Sequence, residues 1–284
     1  KKISARSIIV ASGASPIIPQ LPNINKINHA TSDTIWDLND LPKRLIIIGG
    51  GPIGCELAQA FQRLGSEVIL VESDNRILIK EDADVVKMIE NQLSDEGVTV
   101  LTRHRAKGFV KEKSVQTLVC YSPNGEIQLS FDQVLFAIGR RANLKGYGLE
   151  DIDAISAEDI VLPTNDFLQT KFPNIYACGD VTGRMQFTHA AAHQAWHAAV
   201  NALFGRFKQF TIDFSSVPWA TFTHPEVARV GLNEDEASKK NISYEATTYG
   251  IDDLDRAIAD SEDHGFIKVL TRPKSDQIIG VTIV

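Results

Sequence analysis

Residues 44–73 read RLIIIGGGPIGCELAQAFQRLGSEVILVES: an apolar run, four glycines and a proline within six residues, a helical stretch, and a second apolar run closed by an acid. No other feature of the chain restricts its fold as tightly. Residues 45–48 are uninterrupted hydrophobic, the composition of a strand buried on both faces. Ile53, Leu57, Ala60, Phe61 and Leu64 then recur at helical spacing until Gly65 stops the helix. Residues 68–71 supply a second buried strand, and Glu72 ends it.

The glycines fit G-x-G-x-x-G, with Pro52 and Ile53 in the variable places. Gly49 permits the tight turn, Gly51 lets the backbone approach a pyrophosphate, and Gly54 lets the helix lie close to the sheet. Free N–H groups and the helix dipole favour a dianionic bridge at that point. Glu72 lies 23 residues after Gly49, close to the interval expected of a ribose-binding acid. The competing reading is a glycine turn that serves packing alone; strand, glycines, helix, strand and acid in that order favour a dinucleotide. A carboxylate accepts hydrogen bonds from an adenosine 2′-hydroxyl, whereas it repels a 2′-phosphate at about 4 Å by roughly 1–4 kcal/mol per unit charge, depending on the effective dielectric. NAD is therefore expected over NADP, with Arg76 placed to offset part of that repulsion.

A chain of 284 residues has room for two or three domains. Its net charge of -7 argues against nucleic acid or an anionic membrane surface as the main partner. The longest apolar runs fall far short of the roughly 20 residues of a membrane span. Cys55, Cys120 and Cys178 are widely separated, with neither metal-ligand spacing nor a disulfide framework, and each reads as a small buried apolar residue. Cytoplasmic residence is the corresponding expectation. The start, Lys1-Lys2-Ile3-Ser4 without a methionine, reads as a cut inside a larger protein.

Past the loop, periodicity predicts a helix over 82–93 and a strand over 98–101. Three short alternating segments, 108–111, 115–121 and 126–131, suggest an antiparallel meander inserted in the nucleotide-binding part. A buried strand over 134–138 ends at Gly139-Arg140-Arg141. Residues 186–204 read as a helix carrying His189, His193 and His197 at i, i+4 and i+8; no nearby carboxylate completes a metal-ligand set. Alanines 191, 195, 198, 199 and 202 suggest a close-packing stripe on the same helix. Toward the C-terminus, 217–223, 266–270 and 277–284 are strand-like and 234–239 is a short helix.

Four further stretches, SARSIIVASGASPIIP (4–19), FAIGRRANL (136–144), NIYACGDVTG (174–183) and FTHPEVARVGL (222–232), occur with the glycine loop in the order found in the FAD-dependent pyridine nucleotide–disulfide oxidoreductases. The chain resembles that family over essentially its whole length, most closely its mercuric reductase and dihydrolipoamide dehydrogenase branch. The resemblance implies an α/β fold: a Rossmann-like NAD(P)-binding domain with a meander insertion over 42–142, a partial FAD-binding domain with linker over 1–41 and 143–213, and a partial α+β dimerisation domain over 214–284.

It also implies roles. Gly13 and Gly139 would lie where the chain leaves and re-enters the FAD domain. Ala11-Ser12-Gly13 departs from the family's usual central threonine. Gly179 and Asp180 would meet the ribityl chain of the flavin; a turn cap is the alternative for Asp180. Thr188, His189 and Ala190 would aim backbone N–H groups at the flavin pyrimidine carbonyl. Glu56 would pair with a lysine beside the flavin's reactive nitrogen; an acid stabilised by the helix N-terminus is the alternative. Pro52 stands where many relatives carry a bulkier residue that swings, so gating by this position is not expected. The family's C-x4-C pair and its catalytic histidine are absent from these residues, and His224 is not that histidine.

The expected cofactors are FAD and NAD. The expected reaction of the parent protein, a homodimer, moves hydride from NADH to FAD and electrons on to a small-molecule disulfide or a metal ion. The chain by itself is expected to be inactive. A thiol-independent flavin NADH oxidase or transhydrogenase fits the same residues, as does a non-catalytic NAD(H)-binding module.

Overall fold

The apolar run at Arg44–Ile48 forms the middle strand of a five-stranded sheet. The computed structural model describes residues 3–156 and 158–284, leaving Lys1, Lys2 and Ala157 outside the described residues. The sheet's order is His29–Thr31, Gln133–Phe136, Arg44–Ile48, Glu67–Val71, Thr99–Leu101, and every pairing is parallel. Both faces are covered, which is why its strands are continuously apolar. On one face Leu45, Ile47, Val68 and Leu70 pack with Cys55, Ala58 and Phe61 of the helix Pro52–Leu64 and with Val85 and Ile89 of the helix Ala83–Asp95. On the other, Ile46, Ile48 and Val71 meet Phe109, Leu118 and Phe131 of the antiparallel meander Arg105–Glu112, Val115–Ser122, Gly125–Phe131. Alternation along one strand thus divides its side chains between two cores. The strand expected over 134–138 ends at Phe136, and Ile138 is exposed.

A second five-stranded sheet is antiparallel, in the order Trp219–Thr221, Val227–Gly231, Ile278–Ile283, Phe266–Thr271, Glu245–Gly250. Short helices Glu234–Lys239 and Asp255–Asp260 lie in its connections. Two of its strands and the helix Asp255–Asp260 had no counterpart in the sequence expectations.

The chain divides into two compact units, one of Pro16–Gly139 with Pro218–Val284, the other of the residues up to Ser15 with Arg140–Val217. Both sheets above belong to the first unit. His29–Thr31, grouped from the sequence with the linker, is the edge strand of the nucleotide sheet.

In the other unit Ile8–Val10 pairs in parallel with Ile175–Ala177, and Val10, Leu162, Ala177 and Val181 form part of the core. Its helix Thr188–Phe204 buries Ala190, Gln194, His197, Ala198 and Asn201. The packing face is therefore part amide and imidazole, and the alanine stripe expected to make it is incomplete: Ala195 is exposed. His189 and His193 are exposed as well, while His197 is buried with Nδ1 3.0 Å from the His193 carbonyl. Among the described residues no group of three or more His, Cys, Asp or Glu is placed to hold a metal ion. Nor is any described helix long and apolar enough to cross a membrane.

Candidate functional site

The glycine loop turns as its sequence requires. Gly49 has φ 114°, and a Cβ there would stand 2.4 Å from the Ala137 carbonyl oxygen. At Gly54 an added Cβ would lie 1.8 Å from the Gly49 oxygen and 3.6 Å from the Ala137 side chain. This third glycine thus serves the closure of the loop on its own helix first, and helix-to-sheet packing second. At Gly51 an added Cβ would meet nothing within 4 Å. Pro52 is at the start of the helix, where a missing N–H costs nothing, and no side chain caps that end. The first turn of the helix therefore has no side-chain cap, while the Gly49 N–H just before it goes to the Val71 carbonyl at 2.8 Å.

Glu72 is aimed at this loop. Its Oε2 accepts the Gly50 N–H at 2.6 Å, and its Oε1 accepts the Asp74 N–H at 2.7 Å and the Ser73 hydroxyl at 3.0 Å. Charge-assisted bonds of this length fix the carboxylate's orientation and leave acceptor capacity unused. The following segment folds back on the loop, with the Leu78 N–H on the Gly50 carbonyl at 2.8 Å. Arg76, expected to soften the field of Glu72, is engaged elsewhere: its Nη2 donates to Asp235 Oδ2 at 2.6 Å and to the Ile79 carbonyl at 3.3 Å.

Glu56 is partly buried on the same helix, and its Oε1 accepts the Phe222 N–H at 2.9 Å. Burial raises its pKa, and the Phe222 bond opposes that rise. One turn along, the amide of Gln59 clasps the backbone of a single residue: Oε1 accepts the His224 N–H at 2.7 Å and Nε2 donates to the His224 carbonyl at 2.8 Å. Sequence periodicity does not single out Gln59, because its partner is distant in the chain.

A buried ionic junction behind the loop was also missed. Lys268, 3% exposed, holds Asp84 at 2.6 Å, Glu234 at 2.7 Å and Asp82 at 3.3 Å. Arg229, 2% exposed, holds Glu81 and Glu236, each at 3.0 Å, and stacks over Trp219. Burial pulls the pKa of Lys268 down, but the Asp84 and Glu234 hydrogen bonds and the nearby Asp82 charge together hold it above its ordinary value. Asp82 Oδ1 and Oδ2 also accept the backbone N–H groups of Asp235 and Glu234. The chain leading away from Glu72 is thus tied to the second sheet's helix.

In the other unit, Gly13 and Gly179 have φ 68° and 79°. Gly13 accepts the Asn143 N–H at 3.0 Å. Asp180 lies 3.7 Å from Arg140 Nε, each side chain about a quarter exposed, so its carboxylate makes an ion pair and caps no described helix. Thr188, His189 and Ala190 form the first turn of their helix, which no side chain caps, and the His189 ring stacks on Phe187. Gln194, fully buried, closes the turn from within: Oε1 accepts from Gly179 N–H and the Thr182 hydroxyl at 3.0 Å each, and Nε2 donates to the Arg184 carbonyl. Gly139, in the first unit, has φ 108°, and its carbonyl accepts the Ile17 N–H.

All three cysteines are buried. Burial pushes every one of these thiols up, Cys120 to about 11, so none has thiolate character near neutrality.

The profile of the pyridine nucleotide-disulphide oxidoreductases matches residues 1–195, and that of the family's dimerisation domain matches 217–284. Mercuric reductase of Staphylococcus aureus is 34% identical over 285 residues, covering 100% of this chain and 52% of its own length. Dihydrolipoyl dehydrogenase of Chlamydia pneumoniae is 35% identical over 283 residues, covering 99% and 59%. The chain thus spans about half the length of the curated relatives it matches. Among solved structures, the HOCl-induced flavoprotein disulfide reductase RclA from Escherichia coli superposes with a TM-score of 0.87 at 28% identity, over 98% of this chain and 63% of that one. LpdA from Mycobacterium tuberculosis gives 0.88 at 28%, over 98% and 60%. The order of elements, the glycine loop and these matches agree: the chain belongs to the pyridine nucleotide-disulphide oxidoreductases, an enzyme family that uses FAD and NAD(P)H.

Proposed function

We propose that this chain is the NADH-binding and interface part of a flavoprotein that moves hydride from NADH to FAD and electrons on to a disulfide or a metal ion. The observation that carries the proposal is the seat of Glu72 on the Gly50 N–H, beside a helix N-terminus that no side chain caps. A pyrophosphate fits that turn: the Cβ direction of Gly51 is open, and the uncapped amides carry the positive end of the helix dipole. Gly49, Gly51 and Gly54 would shape the cradle, Pro52 and Ile53 would begin the helix beneath it, and Glu72 would accept from the adenosine ribose hydroxyls.

The residues assigned to the flavin also fit their group. Asp180 keeps a partly exposed carboxylate able to accept from a ribityl hydroxyl, and Thr188–Ala190 present an uncapped first turn. Gly13 and Gly179 would supply turns around it. The bound nicotinamide and flavin supply the redox chemistry, and the protein supplies position and field. Glu56 is held by the Phe222 N–H and partly desolvated, which suits an acid that shapes the field near the reacting rings.

The division into nucleotide (42–142), flavin (1–41 and 143–213) and interface (214–284) parts belongs to this proposal, as does a homodimer formed through the last. The buried thiols favour one further reading, in which the electron acceptor is served by no cysteine of this chain.

Amide shift mapping tests the assignment. Addition of NADH to the 284-residue chain is expected to move the backbone signals of Gly50–Gly54 and Glu72 most. Shifts confined to other residues would refute it.

A further inference from the structure

The adenosine-side lip has one cation in its own segment, and that cation is turned away. Arg76 sits between two points of attachment to the glycine loop. Upstream, Glu72 holds the Gly50 N–H; downstream, the Leu78 N–H bonds the Gly50 carbonyl. The Cα of Arg76 is two links from that of Leu78, about 8 Å at most. A long, always charged side chain there lies within reach of anything bound beside Glu72.

Its present seat is incomplete. Nη2 donates to Asp235 Oδ2 and the Ile79 carbonyl, while Nε is buried without a hydrogen-bond partner among the described residues. The acid on the other side is better anchored. The Asp235 N–H is held by Asp82 Oδ1 at 3.2 Å, and Asp82 pairs with Lys268 in the buried junction. The pair itself is accessible, with side-chain exposures of 22% for Arg76 and 43% for Asp235. The restraint on Arg76 is thus one ion pair on a fixed backbone.

We propose that Asp235 is a specificity-determining residue that acts through Arg76: by holding the guanidinium on the 234–239 helix, it withholds from an adenosine 2′-phosphate a charge able to offset Glu72. Selection for NADH then has two parts, an acid that repels the phosphate and a second acid that removes its counter-charge. The proposal rests on the dinucleotide reading given above.

The test is calorimetric titration of the 284-residue chain with NADH and with NADPH, for wild type, Asp235→Asn, Arg76→Met and the double variant. Asparagine keeps the size of residue 235 and its backbone N–H, and a thermal melt verifies folding. Asp235→Asn is expected to tighten NADPH about tenfold while NADH changes less than about twofold, since only the phosphate gains a charged partner. Adding Arg76→Met is expected to erase the gain, a reversal that a purely structural effect of residue 235 would not produce. Unchanged NADPH affinity in Asp235→Asn, or a gain that survives loss of Arg76, overturns the proposal. If wild type binds NADH and Glu72→Gln weakens it while Asp235→Asn is silent, the Asp235 assignment alone falls. If wild type does not bind NADH, the dinucleotide reading falls and takes this one with it.

Discussion

Two turns in this chain use the same backbone device and close it differently. At 48–54 and again at 177–190, a short parallel strand runs into a glycine at positive φ, and a helix without a side-chain cap follows. In the first, the N–H of Gly50, next after the positive-φ Gly49, is taken by a charged residue, Glu72, from the end of the next strand, and the acid stays partly exposed. In the second, it is taken by a neutral amide, Gln194, from inside the following helix, and that amide is 0% exposed. A charge at an open lip costs little desolvation and keeps acceptor capacity for a ligand. A buried amide has its hydrogen-bonding capacity consumed within the protein. The first arrangement keeps an acceptor at an exposed lip, and the second spends its amide on holding the turn in place.

The largest effect that would break this contrast is expected at Gly54. Alanine there would drive Cβ against the Gly49 carbonyl oxygen, backbone against backbone, and should cost about 3 kcal/mol or more of stability. Gly51→Ala, with open space and an ordinary φ, should leave stability within about 0.5 kcal/mol. It should nevertheless weaken NADH at least about tenfold, as its methyl would occupy the space a pyrophosphate approaches. Denaturant melts and NADH titration of the pair separate the two roles.

Next comes the amide. Gln194→Leu would strand the Gly179 N–H and the Arg184 carbonyl in the interior, at a cost of about 2–3 kcal/mol by chemical denaturation. NADH affinity should be unchanged. A drop in affinity alongside stability would mean that the two turns are not separable.

Glu72→Gln keeps the shape of the lip and removes its charge. The ratio of NADPH to NADH dissociation constants is expected to fall about tenfold, the repulsion at the 2′-position being lost. An unchanged ratio would show that the acid serves the loop alone.

The smallest effect concerns a surface pair that neither turn uses. Arg63 foremost, with Gln92 and Gln59, holds the Glu96 carboxyl down to about 2. A depressed carboxyl adds stability that is fully present above its unfolded pKa, about 4.3, and is lost as pH falls through the folded value. Glu96→Gln should therefore cost about 1 kcal/mol at pH 7, after allowance for solvent screening at the exposed Arg63. Near pH 2 most of that difference should be gone.

The contrast between the turns also explains what the sequence made legible. The βαβ unit is contiguous, its strands are buried on both faces, and its glycines face steric limits within a few residues, so composition and spacing disclose it. The helix Glu234–Lys239 was anticipated to the residue. Val227–Gly231 was hidden because Arg229 sits in its middle, buried only by virtue of Glu81 and Glu236. Glu245–Gly250 is an exposed edge strand without apolar alternation, and its pairing with Phe266–Thr271 is what makes it a strand. Gln59, Asp235 and Lys268 take their roles from partners far along the chain, and Gln194 from a turn one element back. An amide or an acid carries no local signal of what it will meet. The imidazoles of 189, 193 and 197 show the reverse case, a regular spacing that the fold divides between surface and interior.

The central claim is that the turn at 49–54 and the carboxylate of Glu72 together hold NADH. Calorimetric titration of the wild-type chain with NADH and NADPH under identical salt and pH tests it most directly. The account predicts saturable NADH binding, tighter than NADPH by about tenfold or more. Equal or reversed preference, or no NADH binding at all, would contradict it.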